Sequence, residues 1–254
     1  MLRTAIVLLL AALMVILLLP FILVLWVISL FRPGITFNGA VGCLARIFIP
    51  FLLKLCGVRF EVSGAENLPE NAGNGPGSGA VYVGNHQGGF DALVPILYIG
   101  KTKSVVLKKE IARVPLAGWA LKLFGCIFLD RTNLRAQIDC IRQMETMLRD
   151  GKEIAIFPEG TRSKGPDMGE FKAGAFRAAI AAGVPVVPFV IDGSWRCFEE
   201  KGRLAPATVQ VSILPPCSTE GLTASDARSM AVHIREIMQQ EQFRLRAEKG
   251  NNNA

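Results

Sequence analysis

His86 and Asp91, in the run Asn85-His86-Gln87-Gly88-Gly89-Phe90-Asp91, set a carboxylate five positions after an imidazole. Such a pair can act as a general base and its orienter, stripping a proton from a hydroxyl. Asp91 would hold one ring nitrogen and fix the tautomer that leaves the other free as base. Five residues on a regular helix do not share a face, so a turn is needed between them, and Gly88 and Gly89 permit one. A second polar run, Phe157-Pro158-Glu159-Gly160-Thr161-Arg162-Ser163, supplies a grip. The Arg162 fork suits phosphate oxygens, and Gly160 lets the backbone approach a ligand closely. A carboxylate beside a phosphate repels it, so Glu159 is expected to orient Arg162 or an acceptor hydroxyl. His233, on a predicted terminal helix with no polar partner in sequence reach, reads as structural.

Four blocks in order resemble the 1-acylglycerol-3-phosphate acyltransferase family of glycerolipid acyltransferases. They are His86 with Asp91, Gly125-Cys126-Ile127-Phe128-Leu129-Asp130-Arg131, the Phe157 to Ser163 run, and Val184-Pro185-Val186-Val187-Pro188. The resemblance spans roughly Arg59 to Pro216 and includes Lys108-Lys109-Glu110. It implies that His86 activates the sn-2 hydroxyl of lysophosphatidic acid for attack on an acyl thioester carried by coenzyme A or acyl carrier protein. The product would be phosphatidic acid, in phospholipid biosynthesis. It also implies that Lys108 and Arg131 join Arg162 as phosphate contacts, and that no cofactor is needed beyond the thioester co-substrate. Other acceptors stay open: glycerol-3-phosphate, another lysophospholipid or a lyso-aminolipid. So does a non-catalytic membrane lipid-binding protein of the same fold. A serine hydrolase is excluded by the absence of any G-x-S-x-G elbow.

Elements at strand and helix spacing must position these groups. Arg59 to Ser63, Ala80 to Val83, Ser104 to Leu107, Cys126 to Leu129, Glu153 to Phe157, Val186 to Ile191 and Val209 to Leu214 read as strands. Helices are expected over Ala92 to Ile99, after Asn133, over Ala173 to Ala182, and from Thr223 onward. Alternation at this spacing predicts an α/β fold, a mostly parallel sheet flanked by helices. His86, Lys108, Arg131, Glu159 and Arg162 each follow a strand, and ligands collect at the carboxyl ends of parallel strands. The glycine-rich stretch 71–79 precedes a strand and lacks G-x-G-x-x-G spacing, so it reads as a loop. Pro185 and Pro188 are expected to shape a strand edge.

The 254 residues suit one catalytic domain, read as 59–247, with a disordered tail at 248–254. Ahead of it, residues 1–58 read as membrane-anchoring helices. Thr4 to Phe31 carries no charge and is long enough as a helix to cross ~30 Å of hydrocarbon. Pro20 predicts a kink there, with a re-entrant path as the alternative to a crossing. Residues 40–58 hold Arg46 and Lys54 eight apart in an otherwise apolar stretch, as an interfacial helix would. Arg32, Arg46, Lys54 and Arg59 on one flank against Arg3 on the other predict a catalytic domain on the cytoplasmic face. The net charge of +7 suits membrane phospholipids. No basic run interleaved with aromatics appears, so no nucleic acid is expected. Six scattered cysteines without C-x-x-C spacing predict no metal site and no disulfide framework.

Overall fold

The computed structural model describes residues 2–31, 38–73, 75–99, 103–114 and 117–251. A seven-stranded sheet runs through it in the order β1-β7-β6-β2-β5-β3-β4. The strands are β1 (Val58–Ser63), β2 (Ala80–Gly84), β3 (Lys103–Lys108), β4 (Ile127–Leu129), β5 (Glu153–Ile156), β6 (Val186–Asp192) and β7 (Ala207–Ile213). All neighbours pair in parallel except β6 and β7. The helices are α1 (Leu2–Phe31), α2 (Asn38–Cys56), α3 (Leu93–Tyr98), α4 (Ala117–Leu123), α5 (Leu134–Arg149), α6 (Gly174–Ala182) and α7 (Ala227–Asn251).

Strand periodicity sorts the core onto two faces. Val81, Val83, Ile154, Val186 and Val190 meet Met144 and Leu148 of α5, Phe176 of α6 and Ile234 and Met238 of α7. Tyr82, Ala155, Val187, Phe189 and Ile191 face the other way, toward Leu53 and Cys56 of α2 and Val94 of α3. Every residue of β2 and β6 is buried, as expected for inner strands covered on both faces. Buried Tyr82 donates to Glu153 at 2.6 Å, so the one carboxylate on the inner face of β5 is hydrogen-bonded.

Three expectations change. Pro188 does not shape an edge, because β6 lies between β2 and β7. A central strand tolerates it because the antiparallel ladder to β7 begins one residue later, at Phe189 opposite Ile213. α4 follows block Lys108-Lys109-Glu110 where no helix was expected. Seven residues are too short to show a clear period. α7 continues to Asn251, beyond position 248 where order was expected to end; residues 252–254 lie outside the described ones.

α1 is one element running through Pro20, and it docks on α4 by stacking Trp26 on Trp119 at 5.8 Å. Many α1 side chains lie outside the described residues, and among those described no helix is long and apolar enough to cross a membrane. The expected anchor over 4–31 therefore rests on sequence.

Candidate active site

β2 delivers the chain to His86, and side chains on both sides of it replace sheet hydrogen bonds. Asn85 exchanges a pair with Ile191, donating to its carbonyl at 2.9 Å and accepting from its N–H at 2.7 Å. Gln87 accepts from Gly193 N–H at 2.9 Å. The His86 backbone is bound to the third block at both of its polar atoms: its N–H donates to Glu159 Oε1 at 2.8 Å, and its carbonyl accepts from Ser163 N–H at 2.8 Å. Its ring stacks on Phe157, centroids 4.5 Å apart.

A 3₁₀ turn over Gly89–Ala92 then folds the chain back and places Asp91 under the ring. Asp91 Oδ2 lies 2.8 Å from His86 Nδ1 and accepts from Gly88 N–H at 2.7 Å. The Asp91 side chain is wholly buried. A carboxylate only accepts, so Nδ1 carries the proton and Nε2 is left as the basic nitrogen.

The imidazole lines a cleft of about 710 Å³ whose walls also carry Lys108, Arg131, Arg162 and Lys164. Lys108 and Arg131 follow β3 and β4, and Arg162 and Lys164 lie in and just after the third block, as the carboxyl end of a parallel sheet arranges. Arg131 lines the cleft, and among the described residues its Nε is buried without a hydrogen-bond partner. Burial lowers the Arg131 pKa. Lys109 bonds Asp130 and thereby ties the end of β3 to the end of β4. That bond, with those from Thr132, holds the Asp130 carboxyl down at about 2.

Glu159 corrects the sequence reading. Its carboxylate is not on Arg162 and does not line the cleft; besides His86 N–H, it accepts from Gly169 N–H at 3.0 Å. The physical reason is burial: 8% exposed, it meets backbone donors before any ligand could reach it. Desolvation raises its pKa, and the two N–H groups oppose that rise. Gly160 also stays out of the cleft. With φ at +74° it turns the chain into an adjoining apolar recess of about 230 Å³, lined by Ile141 and Met144 of α5 and by Ala173 and Ala175. Glu159→Gln should leave one N–H facing an amide NH₂. The expected result is a fall in melting temperature from a loss of about 1–3 kcal/mol, with reduced turnover. Thermal denaturation and an activity assay on the same preparation check it, and an unchanged pair of values would count against the clamp.

One acidic residue was not expected from sequence. Glu199, in the connection after β6, accepts from Arg162 Nη1 at 2.9 Å and from Gly89 N–H at 2.8 Å. Its run Phe198-Glu199-Glu200-Lys201 has the look of solvated surface, and only burial distinguishes it. His233 is exposed on α7 and lines none of these cavities. Cys197 is wholly buried, and its thiol is pushed up to about 12 by burial first, then by Asp91 and Glu199. Among the described residues no cysteine is in a disulfide, and no cluster could hold a metal ion.

Residues 59–192, which contain all four blocks, match the family model described as Acyltransferase. The chain is 34% identical to a probable 1-acyl-sn-glycerol-3-phosphate acyltransferase of Mycoplasma pneumoniae, over 75% of this chain and 74% of that one. The chain belongs to the 1-acylglycerol-3-phosphate acyltransferase family. The alpha form of mouse is also 34% identical, over 76% of this acyltransferase and 67% of its own length. A chloroplastic relative of Arabidopsis thaliana is 35% identical, and there the chain spans 48% of the relative's length. The fold is that of the crystal structure of the 1-acyl-sn-glycerophosphate acyltransferase PlsC from Thermotoga maritima. The TM-score is 0.76 at 22% identity, over 97% of this chain and 95% of that one.

Proposed function

We propose that the protein transfers a fatty acyl chain from a thioester on coenzyme A or acyl carrier protein to the sn-2 hydroxyl of 1-acylglycerol-3-phosphate, forming phosphatidic acid. The observation that carries this reading is a buried-carboxylate imidazole opening onto the same cleft as Arg162, Arg131 and Lys108. Nε2 takes the hydroxyl proton as the oxygen attacks the thioester carbonyl. The C–S bond then breaks, and the imidazolium returns the proton to the departing thiolate. A thioester is activated already, so no acyl-enzyme is needed. The cations suit the acceptor's phosphate, and the apolar recess beside Gly160 suits an acyl chain.

The uncharged stretch of α1 would anchor the protein in the membrane, with α2 at the interface and Arg46 and Lys54 toward phospholipid headgroups. The charge bias puts the catalytic domain on the cytoplasmic face, where both thioester carriers reside.

The test is an assay of purified protein with each labelled thioester donor against lyso-acceptors with and without phosphate. Transfer to 1-acylglycerol-3-phosphate in preference to phosphate-free acceptors is expected. Equal transfer to both would reject it. If Arg162 grips phosphate, Arg162→Ala should raise the KM for the phosphorylated acceptor about 10- to 100-fold, the range of a charged hydrogen bond, and leave a phosphate-free acceptor unaffected. Steady-state kinetics on the two acceptors decides it.

A further inference from the structure

Arg162 is held by a residue that lies outside all four blocks and beyond the matched residues 59–192. The Glu199 side chain is only 4% exposed, whereas that of Arg162 is 44% exposed and reaches into the cleft. One oxygen does both of the jobs described above: Glu199 Oε1 accepts from Arg162 Nη1 and from Gly89 N–H, three residues after His86. Gly88 packs closely on it: a Cβ there would come within 2.7 Å of Glu199 Oε2, whereas one on Gly89 would make only ordinary contacts. Among the described residues Glu199 is the sole ion-pair partner of Arg162, and it engages a single nitrogen of a fork with five N–H donors. The rest of the fork is left for an anion.

We infer that Glu199 is a positioning residue that fixes the Arg162 guanidinium relative to His86, setting the span between phosphate grip and base that one acceptor molecule must bridge. The inference rests on the proposed reading of Arg162 as the phosphate grip. Its physical basis is that a buried carboxylate shared between a backbone N–H of the first block and the arginine of the third leaves neither free to move alone. An arginine released from it would sample many rotamers, and binding would then bear the entropy of ordering it. Holding the fork in place acts on acceptor binding, not on proton transfer.

The test is a double-mutant cycle in the full chain, with 1-acylglycerol-3-phosphate as acceptor and a labelled acyl thioester as donor. Glu199→Ala should raise the acceptor KM about tenfold, as loss of a hydrogen bond to a charged group does, with kcat and the donor KM within a few-fold of the parent. Glu199→Gln should recover most of that loss, because its amide oxygen still accepts from both donors. Arg162→Ala combined with Glu199→Ala should be no worse than Arg162→Ala alone, since Glu199 acts through Arg162. Additive losses, or a fall in kcat with an unchanged acceptor KM, would overturn the inference and leave Glu199 as a support for Gly89. Phenylglyoxal labelling of Arg162, followed by peptide mass spectrometry, reads its restraint without substrate, and Glu199→Ala should speed it severalfold. An unchanged labelling rate rejects the positioning role. An accelerated rate with an Arg162→Ala enzyme of unchanged acceptor KM keeps the restraint and rejects the phosphate reading instead.

Discussion

His86→Ala is expected to lower kcat by about 10²- to 10⁴-fold, the range of a positioned general base, or roughly 3–5 kcal/mol of barrier. The acceptor KM should change little, because the cations proposed to bind the phosphate come from other strands and from the third block. The backbone of residue 86 keeps its bonds to Glu159 and Ser163, so the cleft should retain its shape. The structural losses are the hydrogen bond to the buried Asp91 carboxylate and the stack on Phe157, which together should lower the melting temperature. Single-turnover measurement with labelled donor, in protein shown by thermal denaturation to be folded, checks it. Turnover within a few-fold of the parent would remove His86 as the base.

Asp91→Asn separates charge from geometry at the same site. Oδ2 serves two donors, His86 Nδ1 and Gly88 N–H, whereas Oδ1 is buried without a partner among the described residues. An asparagine therefore keeps its oxygen toward the two donors and puts its NH₂ where Oδ1 was. The turn and the tautomer survive; the negative charge beside the forming imidazolium does not. The expected loss in kcat is about 10²- to 10³-fold, the range for removing one preorganised electrostatic group from a site where charge develops. Melting temperature should change only modestly, since removal of a fully buried charge is set against a buried NH₂ without an acceptor. Asp91→Ala should lose activity and stability together, because it also strips Gly88 of its acceptor. Should Asp91→Asn retain turnover within about fivefold, the residue only holds a turn, and the charge argument fails.

How far the sequence reaches depends on whether a residue's role is local. Strand period and uncharged runs located β2, β5 and β6, because each buries whole faces and so repeats every second residue. The order of those strands, with β7 parallel to β1 and antiparallel to β6, leaves no mark in any one segment. His86 and Asp91 were legible as a pair because they are five apart and a glycine turn between them is visible. Lys108 and Arg131 were expected on the four-block resemblance, whereas Lys164, which also lines the cleft, was not expected.

What Glu159 and Glu199 touch was decided only in three dimensions. Glu159 and Arg162 are neighbours in one loop, yet Glu159 turns inward to two backbone N–H groups and Arg162 pairs with Glu199, 37 positions away. Residue types and spacing set the expectation of a base, an anion grip and an apolar front. Tertiary structure decided which acid serves which cation, because hydrogen bonds between distant segments depend on burial and approach that no local pattern encodes.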